Sequence, residues 1–171
     1  MEQIKGEIRK KIKEEIEQTT FKEKVVYINR VGKVAKGGRK IAFNAVVVVG
    51  NGNGKVGYGL GKAPEVAEAI RKGVKIATKN MVEIPIKDNT IPASITGKYV
   101  SSTIILKPAL KGTGIIAGAP ARAILELAGV KDVLTKSLKS NNPLNVIKAT
   151  LNGLQKISKN MERYQMRTGQ K

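Results

Sequence analysis

Half of the glycines of this chain fall within one cationic stretch, and this stretch constrains the fold more than any other feature. Between Lys24 and Lys62 there are eight basic residues, no acidic residue and nine of the eighteen glycines. Glycine accepts backbone conformations that other residues avoid and lets other groups approach the main chain closely. We therefore expect tight loops whose amides can face a partner. Because a solvated surface normally mixes both signs of charge, the run indicates a polyanionic partner, most commonly a phosphate backbone.

Composition narrows the possible partners and chemistry. The chain has 171 residues, a formal charge of +19, no Cys and no His. Such a field favours nucleic acid or an acidic membrane, but no apolar run approaches the roughly 20 residues that a spanning helix needs. Without Cys and His, zinc sites and Ser–His or Cys–His pairs are excluded. We expect no catalytic site, metal, cofactor, small-molecule substrate or membrane partner. Since nothing indicates secretion, we expect a cytoplasmic protein.

The sequence divides into four segments. Residues 1–20 are expected to be a helical or disordered extension, with an isoleucine at every fourth position (Ile4, Ile8, Ile12 and Ile16). Residues 21–85 and 86–158 read as two small domains, separated near a proline and a short polar segment. Residues 159–171 turn polar and are expected to form a basic tail.

The first domain is predicted to be β-β-β-α. The valine-rich residues 40–49 form the strongest predicted strand. Asn-Gly pairs in residues 50–54 favour a hairpin loop, since they accept positive φ. The helix begins at a proline, which suits the first turn. The elements expected, in order, are a strand at 24–31, a turn at 35–39, a strand at 40–49, a loop at 50–54, a strand at 55–59 and a helix from 64 to about 80.

The second domain is predicted to be β-β-α-β-α, which makes the whole chain an α+β protein. Leu144, Ile147, Leu151, Leu154 and Ile157 recur at helical spacing in the last of these elements. The elements expected, in order, are strands near 91–97 and 103–107, a loop at 112–114, a helix at 119–128 ended by Gly129, a short strand at 130–134 and a helix from 142.

Six cations are the candidates for phosphate contact because they cluster at two hairpin ends and one helix entrance with no acid between them. They are Lys33, Lys36, Arg39, Lys40, Lys55 and Lys62. Only three aromatic residues lie nearby, Tyr27, Phe43 and Tyr58, and Phe43 is expected in the core because it lies within an apolar strand. We therefore expect recognition of RNA shape and backbone rather than of splayed bases.

Two glycine motifs resemble nucleotide-binding fingerprints. Residues 52–57 match G-x-G-x-x-G but lead into a strand, whereas a dinucleotide fingerprint opens a helix. Residues 112–117 follow a strand and precede a helix, and Asp132 lies twenty residues beyond Gly112. Too little chain remains after that loop for a full dinucleotide-binding sheet. We interpret it as a loop that allows close packing.

Several motifs in this order resemble the bacterial small-subunit ribosomal protein S5 family. The similarity covers about residues 21–158 and excludes the extension. The motifs are Asn29-Arg30-Val31, Lys36-Gly37-Gly38-Arg39, Val48-Val49-Gly50-x-Gly52-Asn53-Gly54-x-Val56-Gly57-Tyr58-Gly59-x-Gly61-Lys62-Ala63, Gly112-Thr-Gly114-Ile-Ile-Ala-Gly118, Arg122-Ala-Ile-Leu-Glu126 and Asn142-Pro143-x-Asn145.

The resemblance implies a double-stranded-RNA-binding-like first domain and an S5-type C-terminal α/β domain. It implies contact with small-subunit ribosomal RNA of the head and the body, ribosomal proteins S4 and S8 as neighbours, and messenger RNA near the entry tunnel. Residues 31–39 would reach head RNA near the spectinomycin site, so Arg30, Gly37 and Gly38 join the RNA-binding candidates. Gly32 departs from the family, which often has a hydroxyl or alanine there.

The resemblance also assigns a protein interface to the second glycine loop. Gly112, Gly114 and Arg122 would face protein S4, at an interface tied to decoding accuracy. We expect Gly114 to allow close approach of another backbone. A cation in the first turn of a helix is unfavourable for the helix dipole, so Arg122 is expected to have an acidic partner on the neighbouring protein.

We therefore interpret the chain as a structural RNA-binding component of the small ribosomal subunit, without catalysis. Two alternatives remain. One is a free double-stranded-RNA-binding regulator, which would not stay with small subunits through a salt-washed gradient. The other is a small nucleotide-using phosphotransferase built on residues 112–118. Such an enzyme needs carboxylates for magnesium or base work, and only four acids lie beyond residue 85.

Overall fold

A computed structural model describes residues 21–168 as two four-stranded sheets and three helices. The extension predicted for residues 1–20 and the last three residues of the predicted tail lie outside this range. The first sheet is antiparallel in the order β1-β2-β3-β4. The elements of this half are β1 (Lys22–Ala35), β2 (Gly38–Gly50), β3 (Lys55–Ala63), α1 (Val66–Lys79) and β4 (Val82–Glu83).

The second sheet has the order β5-β6-β8-β7, in which only β7 and β8 are parallel. The helix α2 connects this parallel pair, as a crossover connection must. The elements are β5 (Ile95–Tyr99), β6 (Ser102–Pro108), β7 (Ile115–Ile116), α2 (Ala119–Ala128), β8 (Val133–Lys139) and α3 (Pro143–Thr168).

The centre of β2 is buried on both sides, which explains its unbroken apolar run. Val47 and Val49 belong to a core cluster with Ala69 and Ala77 of α1. Val46 and Val48 belong to a second cluster that contains the buried residues of α2. A strand covered on both faces reads as a continuous hydrophobic run rather than an alternation. Below, the two sides of the first sheet are called the α1 face and the α2 face.

Helix α1 lies against the backbone of β3. Gly57, Gly59 and Gly61 are alternate residues of β3 and therefore point to one face. A Cβ on Gly59 would be 2.0 Å from the carbonyl oxygen of Gly73 in α1, and a Cβ on Gly61 would be 1.9 Å from that of Ala69. These glycines serve helix packing, so the motif at residues 52–57 is a hairpin loop that leads into β3 and not a nucleotide loop.

Helix α2 joins the two halves of the molecule. It begins after Gly118, has a proline in its first turn and ends at Gly129, whose φ is 94°. These are the bounds predicted from the sequence. The amides of Gly52 and Gly54, in the β2–β3 loop, donate to the carbonyls of Leu127 and Ala128 at 2.9 and 2.8 Å. The β2–β3 loop therefore caps the C-terminal end of a helix from the second half.

The last helix differs from its prediction. It runs to Thr168, ten residues beyond the end expected at residue 158, so most of the predicted basic tail is helical. Residues 159–168 contain no Gly or Pro and several good helix formers. Met161 packs against the main core cluster and extends the contact of this helix.

The other differences are smaller. The strand expected near 91–97 is β5, which begins at Ile95, and the strand expected at 130–134 is β8, which runs to Lys139. The two-residue strands β4 and β7 were not predicted.

Candidate nucleic-acid interface

The β1–β2 hairpin extends beyond the rest of the first sheet. Strand β3 pairs with β2 only as far as Ala63 opposite Phe43, whereas β1 and β2 remain paired to Ala35 opposite Gly38. Residues 31–42 are therefore a two-stranded ribbon, which we call the arm. Within it only Val31 and Ala42 are even partly buried. The arm is thus available to a partner on both faces.

The arm places cations on both faces and at its tip. Lys33 pairs directly with Lys40, so both side chains point to the α2 face, given the alternation of the strand. Arg39 and Arg30, at the base of the arm, point to the α1 face. Lys36 lies in the turn at the tip. Like charges directly opposite each other destabilise a sheet, so the Lys33–Lys40 pair is electrostatically unfavourable in the free protein.

Gly32 makes room for the Arg39 guanidinium. A Cβ on Gly32 would be 2.6 Å from Nε of Arg39, so the guanidinium lies over the bare backbone of the opposite strand. Arg30, Val31 and Ile41 line the same small groove. The departure from the family at Gly32 therefore has a local consequence, because any side chain at this position would displace Arg39.

The glycines at the tip have a separate role. Gly38 has a φ of 123°, and no atom lies within 4 Å of a Cβ built on either Gly37 or Gly38. The tip is consequently an open turn, and its backbone is not covered by any other residue of the described chain.

Lys62 joins the arm at its base, but Lys55 does not. Lys62 lines one groove with Lys33 and Lys40. Lys55 begins β3 at the opposite end of that strand, next to Glu83 of β4. Lys62 lies seven residue steps beyond Lys55, or roughly 23 Å at the rise of a β-strand. The structure therefore brings together all the predicted basic candidates except Lys55.

The glycines of the β2–β3 loop do not offer free amides to a phosphate. The amides of Gly52 and Gly54 donate to α2, as described above. The amides of Asn53 and Lys55 donate to the Asn51 side-chain oxygen at 2.8 and 3.0 Å. In this loop the expectation that glycine amides face a polyanion was wrong, because helix carbonyls and a side chain already accept these donors.

The second glycine loop also has an internal acceptor. The amides of Gly112 and Gly114 donate to Oδ1 of Asp132 at 3.0 and 2.9 Å. Asp132 is only 5% exposed. Its carboxylate therefore occupies the position that a bound anion would take in a phosphate loop. The spacing of twenty residues between Gly112 and Asp132 thus serves a contact within the fold.

Within the described chain, Gly114 is favoured by its backbone conformation. Its φ is 75°, which favours glycine, and no described atom lies within 4 Å of a Cβ at that position. The expected close approach of another backbone is not made within the described chain. The same holds for Gly112, whose φ is 91°.

Arg122 has a partner within its own chain. Its Nη2 donates to the carbonyl oxygen of Ile115 at 3.0 Å. Among the side chains that the structure describes, the ion pairs are Lys24 with Glu126 and Lys72 with Glu68. Arg122 therefore has no acidic partner in the described chain.

One cationic group was not predicted from the sequence. Lys148 of α3 donates from Nζ to the Tyr99 hydroxyl at 3.0 Å, and its Nζ lies 4.7 Å from the centre of the Tyr99 ring and 6.0 Å from that of Tyr58. These residues come from α3, β5 and β3. Their separation along the chain left no local pattern that could have joined them. Phe43, by contrast, packs against the α1-face core as predicted.

No catalytic constellation accompanies these features in the described residues. No three acidic side chains come together there in a way that could hold a metal ion. None of the helices in this part of the chain is long and apolar enough to cross a membrane. The cationic arm on a two-domain α+β fold is typical of a nucleic-acid-binding protein.

Comparison with known protein families identifies the class more closely. Residues 21–85 match the model for the N-terminal domain of ribosomal protein S5, and residues 97–167 match the model for its C-terminal domain. The chain therefore belongs to the ribosomal protein S5 family. Its members are structural proteins of the small subunit and not enzymes. The protein is a ribosomal-RNA-binding constituent of the cytoplasmic ribosome that functions in translation.

Proposed function

We propose that the arm is the main RNA-binding element of this protein, and that it reaches head RNA of the small subunit near the spectinomycin site. The observation that carries the proposal is the isolation of the arm. It protrudes from the sheet, exposes both faces and holds Lys33, Lys36, Arg39 and Lys40 without any acid. An internal role in packing would not require exposed cations on both faces.

Charge reversal at the tip tests this proposal. Lys36→Glu with Arg39→Glu should weaken binding to small-subunit ribosomal RNA by about tenfold or more, since both phosphate contacts become repulsive. Stability should change by less than about 0.5 kcal/mol, as is usual for exposed positions. The matched control is Lys156→Glu with Lys159→Glu, which makes the same charge change at exposed positions of α3. Equal loss of affinity in both double variants would refute a specific role for the arm.

Lys55 supports the further proposal that the protein links the head and the body of the subunit. It lies at the far end of β3 from the arm, next to the β2–β3 loop. Two cationic positions roughly 23 Å apart along one strand are suited to two different RNA segments. As part of the same proposal, the protein contacts messenger RNA near the entry tunnel and protein S8.

We also propose that the segment from Gly112 to Arg122 contacts protein S4 and through it influences decoding accuracy. Exposed apolar side chains support this. Leu110 is 86% exposed and Ile116 is 52% exposed. Leu134, which pairs with Ile116 across the sheet, is also exposed. The space above Gly112 and Gly114 is open. This surface can thus accept another backbone, although the described chain supplies none.

Sedimentation and loop geometry distinguish the proposed function from the two alternative functions. A free double-stranded-RNA-binding regulator would leave small subunits in a salt-washed gradient, whereas a structural constituent sediments with them. A phosphotransferase built on residues 112–118 would need loop amides that can bind phosphate. Because Asp132 already accepts from both Gly112 and Gly114, the loop geometry argues against that activity.

A further inference from the structure

Lys148 lies where the two halves of the molecule meet. Its ammonium contacts Tyr99 of the second sheet and lies over the ring of Tyr58 of the first sheet. Both tyrosines are partly buried and pack against the main core cluster. Because their rings are fixed by the core, they hold the ammonium at a defined position on the surface.

The ammonium keeps donors that the described chain does not use. A lysine has three N–H donors, and Tyr99 accepts one of them. Among the side chains that the structure describes, no carboxylate lies within ion-pair distance of Lys148, since the ion pairs found there involve Lys24 and Lys72. The hydrogen bond with Tyr99 raises the pKa of Lys148 from its ordinary value, so the group is a cation at neutral pH. Cation–π contact with the rings favours the charge but leaves the other donors free for an anion.

One side of β3 connects Lys148 to the arm. Tyr58, Leu60 and Lys62 are alternate residues of β3, so their side chains share the α2 face. Each two-residue step is about 6.6 Å, which places Lys62 roughly 13 Å along the strand from Tyr58. Leu60, between them, is 42% exposed. Lys62 in turn shares a groove with Lys33 and Lys40.

We propose that the RNA bound by the arm continues along the α2 face to this junction, where Lys148 binds one of its backbone phosphates. Tyr99 is a positioning residue, because it holds the ammonium through its hydroxyl and ring. The proposal rests on the proposed RNA-binding role of the arm and extends that site across both domains. The chemistry needed is a single anionic phosphate, which RNA supplies at every nucleotide.

The experiment compares single neutralisations in the full chain, with small-subunit ribosomal RNA as the probe. Lys148→Gln should weaken binding three- to tenfold and lower the slope of log affinity against log salt by about 0.7 to 0.9, the value for one lost phosphate contact. The control is Lys156→Gln, which removes the same charge from an exposed position of the same helix. This control should change RNA affinity by less than about twofold, because one charge contributes little to the summed electrostatic field of the protein. Equal effects of the two changes would overturn the proposal.

Further variants separate this inference from the proposal on which it rests. Lys33→Gln with Lys40→Gln should weaken binding in any case if the arm binds RNA. If that variant loses affinity while Lys148→Gln does not, the junction site is wrong and the arm stands. If neither loses affinity, both proposals fail.

Tyr99→Phe keeps the ring and removes the acceptor, so it should reproduce part of the Lys148→Gln loss. Thermal melting tests the rival role of Lys148 as a tie between domains. A melting temperature lowered by several degrees, with unchanged RNA affinity of the folded protein, would assign Lys148 to that role and reject phosphate binding.

Discussion

At the scale of single residues, glycine in this chain serves two different purposes that the sequence does not distinguish. Gly59 is fully enclosed, because a Cβ there would be 2.0 Å from the Gly73 carbonyl oxygen. Gly37, at the tip of the arm, has no neighbour within 4 Å of such a Cβ. One glycine is required by packing and the other lies in open space.

A pair of alanine substitutions tests this difference. Gly59→Ala should destabilise the protein by about 1–3 kcal/mol or more, because the added methyl forces the helix away from the strand. Gly37→Ala should change stability by less than about 0.5 kcal/mol, as is usual for surface substitutions. Urea denaturation of both variants gives the two free energies of unfolding. Similar values for the two would show that α1 does not lie on β3 as closely as described.

At the scale of elements, the helices α1 and α2 and the first three strands were largely predictable because their signals are local. Prolines near two helix starts, Gly129 at a helix end and the Asn-Gly loop all act within a few residues. The short strands β4 and β7 were not predictable, since two residues carry no periodicity and pair only through the tertiary fold.

Part of the candidate site could also be predicted from the sequence. The cations of the arm could be found because they are close in sequence and lack acids between them. The Tyr58–Lys148–Tyr99 group could not, because its members are brought together only when α3 packs beside both sheets. The internal role of Asp132 was also hidden, since its spacing fits a cofactor-binding acid equally well.

The β7–α2 segment gives a prediction about the proposed protein interface. Arg122→Leu removes one exposed hydrogen bond to the Ile115 carbonyl, and it also removes a cation from the first turn of a helix. The two effects oppose each other, so the stability of the free protein should change by less than about 1 kcal/mol. Misreading by ribosomes that carry the variant should change if this segment contacts S4.

The control for this prediction is Lys156→Leu, on the exposed side of α3, which should leave accuracy unaltered. A melting temperature lowered by several degrees with normal accuracy would mean that Arg122 stabilises its own domain and does not contribute to the interface.

At the scale of the whole molecule, the two halves are joined by a shared core. Val46, Val48 and Val56 of the first sheet belong to the same cluster as the buried residues of α2, β6 and α3. The β2–β3 loop donates to the end of α2, and Lys24 of β1 lies 2.5 Å from Glu126 of α2. That ion pair is exposed, so it adds little. The apolar contact carries the coupling.

This shared core predicts cooperative unfolding. Ile124 of α2 is fully buried, and Ile124→Ala should cost about 2–5 kcal/mol. The loss should appear equally in the hydrogen exchange of β3 and of β6, because both sheets depend on α2. Ile76→Ala, at a residue 40% exposed on α1, should cost much less. Two separate melting transitions, with β3 unaffected by Ile124→Ala, would show that the halves fold independently.

The net charge of +19 leads to a prediction about how RNA affinity depends on salt. If phosphate contacts dominate, each one releases condensed counterions, and log affinity falls by about 0.7 to 0.9 per contact for each unit of log salt. Six to eight contacting side chains would therefore give a slope of magnitude roughly 4 to 7. Titration of small-subunit ribosomal RNA at several salt concentrations measures this slope. Lys36→Gln with Arg39→Gln should lower it by about 1.4 to 1.8, the contribution of two contacts. An affinity that hardly changes with salt would mean that RNA is held by shape and apolar contact, and that the cations of the arm serve only solubility.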